Sequence, residues 1–282
     1  MFVHAKAKNA HIGGLIGNVT NNGGLTLTIN QFSNTANLSS YGDSYEGGLI
    51  GLINGNAKYE IQISECINKG HVVAFGQTNS VSGIIGRVTS NRNGTIILKS
   101  LTNLGTVNVK EESDQSYLGG VFGSVEQNPQ MQLTLETISN YGTVESCGKC
   151  KTTSGGLCGF IDLVDDGTFF SLTVVNSINS GPVISSKAID TISCGLFCVS
   201  SRSMLYDRIV EVKNSINKGM IVGSTSFGIG TEVTGAECIV SMGFVDGISG
   251  DAFFSSCSTI QSLFVLEELE SSFMKDATLF LQ

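Results

Sequence analysis

Three carboxylates stand close together in the chain and are its best candidates for chemistry. Asp162, Asp165 and Asp166 cluster beside Gly167. Grouped carboxylates bind calcium, or act as general acid and base in the cleavage of polysaccharides. No basic residue surrounds the cluster to hold an anionic sugar, and a polar turn between two strands explains it equally well. Because of these two points we expect a non-catalytic chain, and polysaccharide cleavage is the alternative.

Two pairs among the eight cysteines have spacings that could do chemistry. Cys147 and Cys150 have the spacing of half a zinc site or of a redox pair. No second pair completes four ligands, so we expect a loop disulfide or idle thiols rather than metal. Cys194 and Cys198 are predicted to lie on one extended strand, about 13 Å apart and too far to bond each other. The cysteines therefore do not indicate whether the chain works in an oxidising or a reducing compartment.

Composition disfavours several classes of function. The chain has 282 residues, 41% hydrophobic and 14% charged, so it is expected to fold. A net charge of −8 with only 16 Lys and Arg disfavours nucleic acid as a partner. No run approaches the roughly 18 apolar residues of a membrane helix, and the N-terminus lacks a signal-peptide pattern. His4, His11 and His71 are isolated, so no nucleophile–base pair is indicated and no cofactor is expected.

A repeat of about 36 residues runs through most of the chain, and two sequence markers define it. The first is a Gly-Gly-Leu-Ile-Gly-like segment, whose second glycine or its equivalent is Gly14, Gly48, Gly83, Gly120, Gly156, Gly195 and Gly228. The second is an Asn-x-Gly-x-Val-like segment, whose asparagine is Asn34, Asn68, Asn103, Asn140, Asn179 and Asn217. Successive asparagines are 34, 35, 37, 39 and 38 residues apart. Because both markers keep nearly the same spacing, they belong to one repeat.

Each repeat contains three short segments with a strand pattern. In the third copy, Ile96 and Leu98 precede Asn103, Val107 follows it, and Ile84 opens the segment after the glycine. Segments this short cannot bury an apolar face alone, so each must pair with its equivalent in the next repeat. The sequence predicts an all-β fold, a right-handed parallel β-helix (solenoid) of 6–7 coils with three short strands per coil. A β-sandwich does not explain the in-register recurrence, and a propeller blade needs a fourth strand.

Stacked coils would place the repeat asparagines over one another. A side-chain amide both donates and accepts, so the asparagines are predicted to bond along the axis. The glycine two residues later is expected to take a left-handed backbone conformation. Those glycines are Gly70, Gly105, Gly142, Gly181 and Gly219, with Ala36 in the first copy. Cys66 and Cys158 fall in aliphatic columns, so they are expected in the core.

The two ends of the chain depart from the repeat. Val3 stands eleven residues before Gly14, a distance found inside later repeats. We therefore expect residues 1–247 to form a solenoid that opens in mid-repeat and belongs to a longer protein with further repeats. Apolar residues near the C-terminus recur at helical spacing. We expect residues 248–282 to be a capping segment with a short amphipathic helix at about 260–275.

One stretch shows the compound pattern most clearly. It runs through residues 83–86 (Gly-Ile-Ile-Gly), 93–96 (Asn-Gly-Thr-Ile), 100–107 (Ser-Leu-Thr-Asn-Leu-Gly-Thr-Val) and 119–123 (Gly-Gly-Val-Phe-Gly). This pattern resembles the GLUG-motif repeat family over roughly residues 1–235. The resemblance implies β-solenoid units of large surface and secreted proteins, including adhesins, and it implies no catalytic residues.

Together these features predict a non-catalytic structural or adhesive repeat region. The chain would act as a rigid rod or binding scaffold, located outside the cell or on its surface, with a protein or glycan as ligand. Two alternatives stay open. One is a polysaccharide-degrading enzyme on a β-helix scaffold, and the other is an intracellular protein-interaction scaffold.

Overall fold

The fold is a stack of coils, each built from five short strands that lie in five different sheets. The computed structural model describes residues 2–227 except 8, 56, 90–92, 111–113, 127–129, 148–150, 164–169, 186–190, 202–207 and 224, together with 237–240 and 258–259. One coil comprises Val72–Ala74 in sheet A, Thr78–Ser82 in sheet B, Ile85–Thr89 in sheet C, Gly94–Lys99 in sheet D and Thr102–Asn103 in sheet E. The chain then returns to sheet A. The structure thus has five strands per coil, not the three predicted.

The strands of each sheet follow one another at the repeat spacing. Sheet A contains Phe2–Ala5, Asn37–Ser40, Val72–Ala74, Val107–Val109, Val144–Ser146, Val183–Ser185 and Ile221–Val222. Sheet B contains Ala10–Gly13, Ser44–Gly47, Thr78–Ser82, Gln115–Gly119, Lys151–Gly155, Thr191–Cys194 and Thr225–Phe227. Sheet C contains Ile16–Asn21, Ile50–Gly55, Ile85–Thr89, Phe122–Glu126, Cys158–Leu163 and Phe197–Ser201. Sheet D contains Leu25–Asn30, Tyr59–Ser64, Gly94–Lys99, Met131–Glu136, Phe170–Val175, Arg208–Lys213 and Glu237–Val240. Sheet E contains Ser33–Asn34, Ile67–Asn68, Thr102–Asn103, Ser139–Asn140, Ile178–Asn179, Ile216–Asn217 and Ser258–Thr259.

All neighbouring strands are parallel, and equivalent residues of successive repeats pair with each other. In sheet D, Ile96 pairs with Ile61 of the preceding coil and with Leu133 of the following coil. Neighbouring strands in a sheet lie about 4.8 Å apart, so each sequence column becomes a continuous row along the axis. The predicted parallel β-solenoid with about 36 residues per coil is confirmed.

The stack encloses two separate apolar cores. The larger one is bounded by sheets C, D and E and contains fully buried residues such as Ile85, Ile96 and Leu98. The smaller one lies between sheets A and B and contains Val72 and Val81. The larger core continues along the stack from Ile29 to Val212. The smaller one ends at Val144, and buried Ser154 and Ser193 follow Leu118 in its sheet B row.

Sheets B and C lie back to back between the two cores, and glycine makes this close approach possible. A Cβ on Gly86 of sheet C would lie 2.4 Å from the carbonyl oxygen of Gly51 and 2.6 Å from the backbone nitrogen of Glu46. The Oγ of Ser80, on sheet B, donates to the carbonyl oxygen of Gly86 at 2.7 Å. The last glycine of the Gly-Gly-Leu-Ile-Gly marker is therefore needed where one sheet contacts the other.

The corner between sheets D and E is made by one residue with a left-handed backbone. Ser100, with φ of 52°, takes this conformation directly after the sheet D strand, and its N–H donates to the carbonyl oxygen of Glu136 in the next coil. The equivalent residues, with φ between 48° and 58°, are Gln31, Glu65, Thr137, Asn176 and Asn214. For residues other than glycine this conformation costs about 1–2 kcal/mol. The hydrogen bonds between coils hold it in place.

The described part of the chain contains no helix. The predicted amphipathic helix at about 260–275 lies outside the described residues. Ser258–Thr259, within the predicted capping segment, pairs with Ile216–Asn217 and continues sheet E. Within the described residues, no helix has the length and apolarity that a membrane crossing requires.

Candidate functional site

The six repeat asparagines form a hydrogen-bonded ladder along sheet E. Asn68 pairs in register with Asn34 on one side and with Asn103 on the other. The Nδ2 of Asn34 donates to Oδ1 of Asn68 at 2.8 Å, and Nδ2 of Asn68 donates to Oδ1 of Asn103 at 2.9 Å. Three further bonds of 2.8 Å continue the ladder through Asn140, Asn179 and Asn217. The predicted asparagine ladder is present, and its amides all point the same way along the axis.

Each ladder asparagine also bonds within its own coil. The Nδ2 of Asn103 donates to the carbonyl oxygen of Gly105 at 3.0 Å, and the same contact recurs at 2.9–3.1 Å in the other five coils. The Oδ1 of Asn68 accepts from the backbone nitrogen of Gly70 at 3.3 Å. All six side chains are buried. In the five asparagines from Asn34 to Asn179 both amide hydrogens have partners, and in Asn217 one does, so almost every donor of the ladder is satisfied despite burial.

The glycines that follow the ladder are required by close packing between coils. A Cβ on Gly105 would lie 1.9 Å from the carbonyl oxygen of Gly70 in the preceding coil. The corresponding distances are 1.9–2.0 Å at Gly70, Gly142, Gly181 and Gly219. None of these glycines has φ in the left-handed region. The left-handed conformation predicted for them is therefore wrong, and the steric reason is a neighbouring carbonyl.

The two sequence markers meet at the ladder. A Cβ on Gly83, the second glycine position of its marker, would lie 2.3 Å from Cγ of Asn103 and 2.4 Å from the carbonyl oxygen of Gly120. The equivalent distance from Gly48 to Cγ of Asn68 is 2.5 Å. The glycine backbone therefore lies directly against the ladder amide, which explains why both markers recur together.

A disulfide joins Cys194 to Cys198, with the two Cα atoms 5.7 Å apart. Cys194 ends a strand of sheet B, and Cys198 lies in the following strand of sheet C. The predicted separation of about 13 Å is wrong because the chain turns between the two residues instead of continuing as one strand. The bond therefore connects sheets B and C at the corner where glycines allow close approach in the other coils.

Reducing this disulfide is expected to lower the free energy of unfolding by about 2 kcal/mol, because the closed loop is short. Denaturant titrations with and without a thiol reductant measure the difference. In the double variant Cys194→Ala/Cys198→Ala, reductant should have no effect attributable to this bond. Alkylation of both thiols in the folded, unreduced protein would contradict the assignment.

Three further cysteines, Cys66, Cys147 and Cys158, are not part of this disulfide. Cys66 and Cys158 are buried, as predicted, and burial raises the pKa of each thiol. Cys147 is half-buried and its Sγ donates to Oε1 of Glu145 at 3.6 Å. Cys150 lies outside the described residues, so the expectation of a loop disulfide or idle thiols at Cys147 and Cys150 stays a prediction.

The acidic cluster is described only in part. Asp162 lies on the sheet C strand Cys158–Leu163, whereas Asp165 and Asp166 lie outside the described residues. Among the residues that the structure describes, no three His, Cys, Asp or Glu side chains are grouped so that they could hold a metal ion.

An aromatic and charged cluster joins sheets B and C on the faces that point away from the two cores. The rings of His11 and Tyr45 stack with centroids 5.4 Å apart, and burial lowers the pKa of His11. The Arg87 guanidinium lies 4.7 Å from the Tyr45 ring centroid and donates to the Tyr45 hydroxyl at 2.6 Å. Arg87 also pairs with Glu126 at 3.1 Å. The Tyr45 ring is thus covered by the chain's own side chains.

Sequence reasoning missed a buried carboxyl group, that of Glu46. Its position pairs with Ile12 in the preceding coil and with Val81 in the following coil, so a carboxyl group lies between two aliphatic residues. The presence of Glu46 where neighbouring coils have Ile12 and Val81 can be recognised in the sequence once the register of sheet B is known. Burial raises the pKa of Glu46 to about 7, against hydrogen bonds from Ser40 and Ser44 that lower it.

Comparisons with protein-family models, with curated proteins and with solved structures found no match to this chain.

Proposed function

We propose that this chain is a non-catalytic, rigid rod that presents a binding surface outside the cell or on its surface. The observation that supports it most is the continuous stack, in which four sheets have seven strands and one has six. Buried cores and a continuous amide ladder oppose bending or sliding of one coil against the next. Each coil adds about 4.8 Å of length. Because coils contact only their neighbours, such a rod can be extended by further repeats of a longer protein.

The disulfide between Cys194 and Cys198 supports an oxidising compartment. Disulfides persist in secreted and surface proteins and are rare in the reducing cytosol. An extracellular or cell-surface location agrees with the resemblance to the GLUG-motif repeats, whose proteins are adhesin-like. An intracellular scaffold would be expected to keep these two thiols reduced.

Exposed apolar side chains next to the ladder are the surface we propose for a protein or glycan ligand. Leu104 and Tyr141, 47% and 53% exposed, each follow a ladder asparagine directly. Since Asn103 pairs with Asn140, the two side chains lie one coil apart on the same corner. Exposed aromatic and aliphatic side chains at this corner would contribute apolar contact area to a bound ligand. Their exposure does not stabilise the fold of the chain itself.

Labelling of intact cells tests this proposal. An antibody against the chain is expected to bind cells that have not been permeabilised, while a cytosolic marker stays unlabelled. Thiol alkylation before lysis, followed by mass spectrometry, is expected to recover Cys194 and Cys198 as a disulfide. Labelling that requires permeabilisation, with both thiols alkylated, would instead support the intracellular scaffold. Release of sugars from a polysaccharide by the purified chain would support the enzyme.

A further inference from the structure

Glu46 lies inside the smaller core, away from solvent. It belongs to the sheet B strand Ser44–Gly47 and its side chain has no exposed surface. The row above and below it is aliphatic, with Ile12 and Val81 as its register partners. A carboxyl group in such surroundings either carries a proton or pays the cost of a buried charge.

The polar atoms around Glu46 form a compact group of four oxygens. The Oγ of Ser44 is 2.7 Å from Oε1 of Glu46, 2.8 Å from Oγ of Ser40 and 3.2 Å from Oδ1 of Asn79. The Oγ of Ser40 also contacts Oε1 of Glu46. These oxygens are at hydrogen-bond distances, and a contact that has no hydrogen of its own brings lone pairs together.

Counting hydrogens shows that an ionised Glu46 does not suit this group. Four oxygen–oxygen contacts are present, yet the hydroxyls of Ser40 and Ser44 supply one hydrogen each. A carboxylate and the Oδ1 of Asn79 only accept. With Glu46 ionised, two contacts would therefore bring lone pairs together without a hydrogen. A proton on Oε1 supplies a third hydrogen, which leaves one contact without its own hydrogen instead of two, and it removes the buried charge.

No charged side chain on the packed strands compensates Glu46. The second carboxylate oxygen, Oε2, has no hydrogen-bond partner among the described residues. Tyr45 precedes Glu46 on the strand and so points to the opposite face, where it contacts His11 and Arg87. The titratable and charged groups on the strands packed around this one, or directly beside them, are His4, Lys6, His11, Tyr41, Asp43, Tyr45, His71, Arg87 and Glu126. Lys6 and Tyr41 are exposed, and Asp43 accepts from the backbone nitrogen of Thr78. His4 and His71 are exposed, and Glu126 is paired with Arg87.

We propose that Glu46 is a structural carboxylic acid that keeps its proton in the folded chain, and that loss of this proton as pH rises weakens the smaller core. The sign follows from linkage. The pKa of this carboxyl is raised from 4.5 to about 7 by burial, so the folded chain binds one more proton than the unfolded chain between these values. Stability is greatest below pH about 4.5, falls as pH rises, and levels off above pH about 7 as far as this group is concerned.

Chemical unfolding at a series of pH values tests this proposal. For the wild type, the unfolding equilibrium constant should rise by up to tenfold per pH unit between pH about 5 and about 7. The variant Glu46→Gln keeps the size of the side chain but cannot ionise, so this rise should disappear. The variant Glu60→Gln is the matched control, because Glu60 is exposed on sheet D, and it should keep the wild-type pH dependence.

A second substitution keeps the test decisive if glutamine impairs folding. Glu46→Val introduces the residue found at the next position of the row, Val81, and it should also remove the pH dependence. Infrared absorption provides a direct readout: a protonated carboxyl band should be present at pH 6, weaken towards pH 8 and be absent from Glu46→Gln. Burial lowers the pKa of His11, which has the opposite effect on stability in this range, so the comparison is between wild type and each Glu46 variant. A difference in stability between wild type and both variants that stays constant from pH 5 to 7 would overturn the proposal.

Discussion

Replacing Asn103 with alanine is expected to lower the free energy of unfolding by about 4 kcal/mol. The substitution removes the acceptor of the Asn68 amide, the donor to Asn140 and the donor to the carbonyl oxygen of Gly105. These three groups are buried between coils, and each unpaired polar group costs about 1–3 kcal/mol. A small cavity adds to the loss.

Chemical denaturation monitored by circular dichroism measures this effect. Asn34→Ala is a graded comparison, because Asn34 has one ladder partner, Asn68, and should cost less. Asn30→Ala is the exposed control on sheet D and should change stability by less than about 0.5 kcal/mol. Equal losses at positions 30 and 103 would mean that the ladder contributes nothing specific.

Replacing Gly105 with alanine is expected to destabilise the chain by roughly 4 kcal/mol or more, or to prevent folding. The new Cβ would lie 1.9 Å from the carbonyl oxygen of Gly70, which belongs to the backbone of the adjacent coil. A rigid backbone cannot move aside as a flexible side chain does, so the two coils must separate locally. That separation also strains the ladder bond between Asn68 and Asn103.

The matched control for this substitution is Gly23→Ala. A Cβ at Gly23 meets no atom within 4 Å. We therefore expect the variant to fold with a stability within about 0.5 kcal/mol of the wild type. Soluble yield and thermal unfolding of the two variants provide the comparison. A Gly105→Ala variant as stable as Gly23→Ala would contradict the close approach of the coils.

The solenoid and its ladder could be predicted because a repeat converts sequence spacing into stacking. Asn68 and Asn103 are 35 residues apart, and the aliphatic residues Ile61 and Ile96 have the same separation. Asparagine and isoleucine have unrelated side chains, so their common period indicates a structure in which successive repeats lie directly over one another. The amide chemistry of asparagine then predicts bonds along the axis.

The number of strands per coil was harder to predict, because two of the five strands carry little pattern. The sheet E strand Thr102–Asn103 has two residues, too few to show alternation. The sheet B strand Thr78–Ser82 is buried at four of its five positions, although it contains one aliphatic residue. Its polar side chains are buried because they face the back-to-back contact with sheet C or the smaller core.

The sequence by itself determined the period, the parallel stack, the residues of the ladder and the main aliphatic rows, because each of these repeats at one spacing. Tertiary structure alone decided the features that depend on how the chain turns within a coil. The corner between sheets B and C brings Cys194 to Cys198, and the division into two cores buries Glu46 among Ser40 and Ser44. Cys194 and Cys198 are four positions apart in the chain, and Ser40 and Glu46 are six. A segment of that length spans a long distance as an extended strand and a short one as a turn, so the sequence alone did not predict the contacts.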